Sequence, residues 1–412
     1  MPRLRLGRAR HKADAARQFS VLDLGASAVK ALIVEVHKGR ATVLGRGRVQ
    51  HCNGLNDQGY VGDLDALIQA CEEALRDAED ATERVREIKI VPDVALIAVP
   101  TAWTCGAMGV GGIERAMFET PISLDECAEP LARAGRRALR NLGRLTSEGT
   151  WQLIDATLIT FSVNGNPVTE PVGFRGRELQ AAVFVAAARG DQMAVLPKIA
   201  DALQLEPPQL VVEPLALAAT LPGSGLLVQV GAGTTQVVLA RESAPLAIGH
   251  IAHGSSLWSR ALIDVFRLSP ERADALLRAH CDGKLAARVR DSVGQTLRPL
   301  WDQWFEALTG EMRRWDVDRL EWTPEIYLCG GASAAPDIRE RLAKAPWLDL
   351  VPFRRTPEVR TWDGANLDLL ADLAEPRWPL DGVTALSVAA WGVRERGPNT
   401  PDGMLRKALE IV

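Results

Sequence analysis

A chain of 412 residues is longer than one hydrophobic core sustains, so it should divide into two or more lobes. With 47% hydrophobic and 24% charged residues it reads as an ordinary globular protein, and a net charge of −4 gives no general reason to expect nucleic acid as a partner. No apolar run reaches the ~18 residues that span a bilayer, and the N-terminus lacks the apolar centre of a signal peptide, so a cytoplasmic protein is expected. The six cysteines (52, 71, 105, 127, 281, 329) include no Cys-x-x-Cys pair, which favours free, mostly buried thiols over disulfides or zinc. His250 and His253 lie close together without a cluster of further ligands.

In chain order, residues 1–18 form a basic tail in which Arg3, Arg5, Arg8, Arg10, Lys12 and Arg17 face only Asp14. It reads as a solvated segment, with attraction to anionic lipid as the functional alternative. Residues 19–36 predict two strands joined at Gly25-Ala26-Ser27, and 41–49 continue the sheet. An amphipathic helix is predicted at 63–83 from Leu64, Leu67, Ile68, Cys71, Leu75 and Ala78. Residues 94–99 are a buried strand closed by Pro100. A helix capped by Ser123 is predicted through 142, with Arg133, Arg136, Arg137 and Arg140 on a solvated face, and strands at 153–163 and 179–188 follow. This group reads as an inserted subdomain.

Residues 191–203 predict a helix, 209–212 a strand, and Glu213-Pro214 opens an alanine-rich helix whose Ala216, Ala218 and Ala219 suit close packing between lobes. Next comes Leu226-Leu227-Val228-Gln229-Val230-Gly231-Ala232-Gly233-Thr234-Thr235-Gln236, half a chain after Val21-Leu22-Asp23-Leu24-Gly25-Ala26-Ser27-Ala28-Val29-Lys30 and built like it. A long-range echo of this kind predicts two halves of common design. Strand 247–252, helices at 256–266 and from Ser269-Pro270, and a long helix over 285–314 broken near Gly294 complete this part. Residues 326–329 form a buried strand ending at Gly330-Gly331-Ala332-Ser333, before helices at 337–343 and 383–393. Residues 394–403 read as a polar linker, and 404–412 either as a short amphipathic helix or as a frayed end.

The chemistry that suits such turns is phosphate binding. Glycine lets successive N–H groups point into one concavity, hydroxyls of Ser27, Thr234 and Thr235 add donors, and Lys30 adds a point charge. A plain glycine hairpin is the alternative for either stretch alone, and two copies half a chain apart argue against it. Gly330-Gly331 before a helix is a third corner compatible with a nucleotide.

These pieces resemble the actin-like ATPase superfamily and, within it, the bacterial cell-division protein FtsA, over roughly residues 19–394. Asp23-x-Gly25-x-Ser27-x-x-Lys30 resembles the first phosphate motif and Gly231-x-Gly233-Thr234-Thr235 the second. Ile326-x-Leu328-x-Gly330-Gly331-x-Ser333 resembles the adenosine motif, and Glu213-Pro214-Leu215-Ala216 the segment that carries a water-orienting acid or amide. The resemblance implies an α/β, two-lobed actin-like fold on a duplicated RNase H-like core, with ATP and Mg²⁺ as ligands. It divides the chain into a first lobe (19–93 and 190–222), an inserted FtsA-type 1C subdomain (94–189), a second lobe (223–393) and a linker with a tail (394–412). Nucleotide contacts would fall to Gly25, Ala26, Ser27, Lys30, Gly231, Ala232, Gly233, Thr234, Thr235, Asp274, Gly330, Gly331, Ala332 and Ser333. Asp23 and Glu213 would serve catalysis, and Asp23 and Gln229 the metal, the latter through water.

The sequence also departs from the family pattern. Gln229 stands where an Asp normally opens the second phosphate motif, and Gln236 follows the Thr pair where Asp is frequent. Ala273-Asp274-Ala275-Leu276-Leu277 lacks the ribose-gripping Lys, and Arg278, one residue on, points about 100° away on a helix. His253-Gly254 replaces a Gly-Gly pair. Binding with slow or absent hydrolysis follows as the expectation. The implied role is a filament-forming adaptor that self-associates through the 1C subdomain. It would bind the C-terminal tail of FtsZ and meet the inner face of the cell membrane through its terminal tails. The alternative is a platform protein like PilM of type IV pilus assembly. A sugar or acetate kinase on the same core would need a catalytic Asp beside an acceptor pocket, and no residue fits.

Overall fold

The structure is a computed structural model that describes residues 17–50, 54–146, 149–315, 322–364, 367, 370–378, 380–394 and 400–411. The basic tail up to residue 16 and residues 395–399 of the expected linker lie outside the described residues. Strand β1 (Arg17–Leu24) takes in the last two residues assigned to that tail, and β2 (Ala28–His37) and β3 (Arg40–Gln50) follow. Helices α1 (Leu64–Ala81) and α2 (Glu83–Arg86) lead to β4 (Ala95–Val99). Asp63 starts α1 by accepting from the Ala66 N–H at 3.0 Å, and Leu67, Cys71, Ala74, Leu75 and Ala78 form the buried stripe of its helical period.

Strand β5 (Thr104–Glu114), helix α3 (Ala128–Leu145), and strands β6 (Trp151–Val163), β7 (Asn166–Val168) and β8 (Glu178–Arg189) come next. They form a separate antiparallel sheet of order β5-β8-β6-β7 with α3 across it. The chain then returns through α4 (Gly190–Met193) and α5 (Leu196–Ala202) to β9 (Gln209–Val212) and α6 (Glu213–Thr220). Because β9 pairs directly with β4, everything from β5 to β8 is inserted between two neighbouring strands. The helix predicted at 191–203 is two short helices, with Pro197 in the first turn of the second, where its missing N–H costs nothing.

The second half repeats the plan. Strands β10 (Gly225–Val230), β11 (Thr235–Arg241) and β12 (Ala244–Ile251) precede helices α7 (Ser255–Phe266), α8 (Pro270–Cys281) and α9 (Ala287–Arg313). Strand β13 (Glu325–Cys329), helices α10 (Pro336–Lys344) and α11 (Trp347–Leu350), and strand β14 (Glu358–Thr361) close the lobe. Strand β15 (Leu370–Asp372) returns to the first sheet, and helices α12 (Val383–Trp391) and α13 (Pro401–Ala408) end the chain. The first sheet runs β15-β3-β2-β1-β4-β9 and the second β12-β11-β10-β13-β14. Apart from β15, the two orders are the same: an antiparallel three-strand meander followed by two parallel strands. This is the duplicated core expected from the two similar stretches.

Helix α9 runs unbroken through Gly294 and Pro299, against the expectation of a break. Gly costs about 1 kcal/mol and Pro about 3 kcal/mol in a helix interior. The buried row Val293, Leu297, Trp301, Trp304, Phe305 and Leu308 supplies more than that, at about 1.5–3 kcal/mol per large side chain. Helices α6 and α12 pack on each other, the Thr220 hydroxyl donating to Ser387 Oγ at 2.8 Å. Since α6 also touches β11 and β12 while α12 touches β1, β2 and β4, this pair joins the two lobes.

Helix α13 lies on the insert, against α3 and β6. Leu405 is fully buried there, and Met404, Leu409 and Ile411 pack on the same core. Asp402 accepts from the Leu158 N–H at 2.7 Å, and Arg406 pairs with the buried Asp155 at 2.9 Å. The narrow apolar face of the tail is thus spent inside the molecule, neither frayed nor open to a lipid surface.

Candidate functional site

The first hairpin places Asp23 and Lys30 directly opposite one another on β1 and β2, and their side chains form an ion pair at 3.2 Å. Both are buried, and Lys30 has a second partner, Asp381, at 3.3 Å. Burial raises the Asp23 pKa above the ordinary carboxylate value, and Lys30 offsets this only in part. For Lys30, burial works against the charge, but Asp23 and Asp381 outweigh it and hold the ammonium form. Arg48 on β3 also reaches Asp381, at 3.1 Å.

In the second hairpin the same cross-strand positions hold Gln229 and Gln236. Both amides serve Glu213, at the start of α6. Glu213 accepts from Gln236 Nε2 at 2.6 Å, Thr384 Oγ1 at 3.0 Å, the Thr101 N–H at 3.1 Å and Gln229 Nε2 at 3.4 Å. Gln229 also donates to Thr384 Oγ1 at 2.7 Å, and the Thr101 hydroxyl bonds Gln236 Oε1. One carboxylate therefore ties together α6, the start of the insert, the second sheet and α12. Burial, followed by the nearby charge of Asp23, pushes the Glu213 pKa up, while its donors pull it down. Gln229 Oε1 is buried without a hydrogen-bond partner.

The turns of the two hairpins meet. A methyl group at Gly233 would sit 3.1 Å from the Ala26 side chain and 2.9 Å from the Asp57 carbonyl, so only glycine permits this approach. Asp57 in turn pairs with Arg260 on α7. The third corner lies beside the second hairpin: Gly330 has φ +91°, and a Cβ there would strike the Val230 carbonyl at 2.4 Å. Gly331 faces the Asp381 side chain. Asp23, Ala26, Lys30, Gly233 and the Gly330-Gly331 corner therefore converge, joined by Arg48 and Asp381. Arg48, Val49 and Gln50 also line an open cleft of about 690 Å³ with Glu73, Asp77 and Arg278.

Other expected residues face elsewhere. The Thr235 hydroxyl donates to the His253 carbonyl at 2.7 Å and accepts from Trp304 Nε1 at 2.9 Å, so it serves the core of the second lobe. The Ser333 hydroxyl donates to the Gly330 carbonyl at 2.7 Å and shapes its own turn, beside the buried Ala332. Asp274 accepts from Ser259 Oγ at 2.6 Å, linking α8 to α7. Gly231 and Ala232 give their carbonyls to the first N–H groups of α7, at 3.0 and 2.9 Å. Gly25, Ser27 and Thr234 remain at the turns with some exposure. Arg278 lines the open cleft with Arg48 and Glu73.

The donor set suits phosphate better than a tightly held metal. Lysine, arginine and two glycine turns face the gap, whereas Asp23 is committed to Lys30. Among the described residues there is no group of three His, Cys, Asp or Glu able to hold an ion. The unpartnered Gln229 Oε1 has acceptor capacity left for a water.

No protein-family model matches the chain. The cell-division protein FtsA of Neisseria meningitidis serogroup B is 25% identical over 266 residues, 63% of this chain and 60% of that protein. FtsA of Enterococcus faecalis is 24% identical over 345 residues, 77% of this chain and 74% of that protein. Among solved structures, the PilM–PilN type IV pilus biogenesis complex superposes with a TM-score of 0.60 at 21% identity, covering 91% of this chain and 98% of that one. The chain is similar to FtsA in sequence and shares the actin-like fold of the PilM chain. Its two repeated sheets are the two lobes of the actin-like fold, and the first curated FtsA relative is matched over only about three-fifths of its length. Among the described residues no helix is long and apolar enough to cross a membrane.

Proposed function

We propose that this chain is a nucleotide-binding scaffold of the FtsA kind that holds ATP with its Mg²⁺ between the two hairpins and hydrolyses it very slowly or not at all. The observation that carries this reading is the saturation of Glu213. Four donors within the protein already occupy the carboxylate that would orient water, and the residue opposite Gln236 is an amide where a metal-shell carboxylate would be needed. Phosphates would meet Lys30, the Gly25 and Gly233 turns and the Gly330-Gly331 corner. Titration calorimetry with Mg-ATP should give saturable binding with little phosphate release, unchanged in Glu213→Gln. Ready turnover abolished by Glu213→Gln would overturn the reading.

In this reading the sheet inserted between β4 and β9 is the 1C subdomain through which copies associate into filaments, and FtsZ is the partner. The two FtsA alignments support that assignment. A platform role like that of PilM is favoured by the superposition on the PilM–PilN complex over nearly the whole of both chains. A pull-down with the FtsZ C-terminal tail and with a peptide of the pilus partner separates the two. Electron microscopy with Mg-ATP on lipid monolayers tests filament formation and the membrane role. For the tail to touch lipid, α13 must first leave the insert, because Leu405 is buried beneath it.

A further inference from the structure

Asp381 plays no part in the motifs of the sequence, yet it sits at the centre of the charged side of the gap. Its two carboxylate oxygens are taken by different cations: Oδ1 by Lys30 Nζ at 3.3 Å, and Oδ2 by Arg48 Nε at 3.1 Å. A further side faces Gly331, where an added Cβ would lie 3.5 Å from Oδ1. Asp381 is thus gripped from the first hairpin and β3, against the glycine corner of the second lobe, much as a phosphate oxygen pair would be. The Leu380 carbonyl beside it accepts from the Gly330 N–H at 3.1 Å, which anchors the segment to that corner.

The local charges explain why this matters. Asp23 and Asp381 stand against Lys30 and Arg48, two carboxylates against two cations, so a polyanion entering the gap meets no net attraction. If Asp381 swings out, the remaining set is one carboxylate against two cations, and both cations regain free donors. Its side chain is 35% exposed on the segment that leads into α12, so one side of the carboxylate already faces solvent.

We propose that Asp381 is an internal stand-in for a ligand phosphate, which a nucleoside triphosphate must displace from Lys30 and Arg48, so that this carboxylate sets the affinity and excludes weakly charged ligands. The inference rests on the nucleotide reading above and deepens it. The test is titration calorimetry of the full chain, wild type, Asp381→Asn and Asp381→Ser, with Mg-ATP and separately with inorganic pyrophosphate. Thermal melts would confirm that each variant is folded, two replacements being used in case one is not. Removing the competing carboxylate should tighten both probes by roughly tenfold, on the scale of one partly exposed charge-assisted contact. The gain should shrink when Lys30→Met is added and vanish when Arg48→Met is added as well, since Asp381 acts through both cations. Equal or weaker binding by the Asp381 variants while the wild type binds would overturn the inference and leave the nucleotide reading standing. If no variant and no wild type binds either probe, the nucleotide reading fails and the inference falls with it.

Discussion

Asp23 and Lys30 in the first hairpin, and Gln229 and Gln236 in the second, occupy the same cross-strand position in sheets of the same strand order. One pair is ionic and joins a further carboxylate at the gap. The other is a pair of amides turned inward to a buried glutamate. The backbone plan has therefore stayed common to both halves while the electrostatics have separated. The first hairpin keeps charges able to meet an anion, and the second has become a clasp that fixes α6, α12 and the start of the insert around Glu213. Amides suit that task because they bond a carboxylate without adding a second negative charge beside Asp23, whose charge already raises the Glu213 pKa.

The largest effect expected from breaking this contrast is in the ionic pair. Lys30→Met leaves Asp23 buried without its cation and should cost about 3–5 kcal/mol by chemical denaturation, the range for one orphaned partner of a buried pair. In the neutral pair, Gln236→Leu removes the shortest bond to Glu213 and should cost about 1–3 kcal/mol. If the second loss equals the first, the amide clasp is as electrostatic as the ion pair and the contrast fails. Gly233→Ala should cost about 1 kcal/mol of stability, at the mild end of overpacking, because two lobes can part slightly to admit a methyl. Its main effect should be on Mg-ATP affinity. Gly25→Ala meets the Ala28 carbonyl of its own hairpin at 2.7 Å, so it should lower stability with less effect on affinity. Calorimetry and melts on the same two variants would separate these outcomes.

The smallest effect lies outside both hairpins and serves as a control. The Arg115 guanidinium, with the Ser123 N–H behind it, holds Glu126 in the insert down at about 2, against an ordinary 4.5. A depressed carboxylate contributes stability above its ordinary pKa and loses it as pH falls. Wild type should therefore melt above Glu126→Gln at neutral pH, with the difference closing as the pH drops from 4.5 toward about 2. A gap that widens in acid would refute the pairing.

The architecture was legible because its signals are local. Alternating apolar strands, glycine turns and a repeated pattern announce two similar hairpins, and the two sheets follow. The working parts of the site were not, because each is a meeting of distant segments. Thr101, Thr384, Arg48 and Asp381 carry no motif, and nothing near them in the chain points to Glu213 or Lys30. Gln236 reads as a lost Asp until its amide is seen on Glu213. Thr235 reads as a phosphate donor, and only the fold shows that the His253 carbonyl takes its hydroxyl proton.

The docked α13 bears on how the end of this chain can be studied. Cutting at residue 400 would uncover the groove between α3 and β6, take Leu405 out of a core it completes, and deprive Asp155 of its Arg406 partner. A shortened protein that fails to sediment with vesicles would then report an unlaced insert as readily as a missing anchor. Leu405→Asp, Arg406→Gln and the full chain compared side by side would keep the two apart.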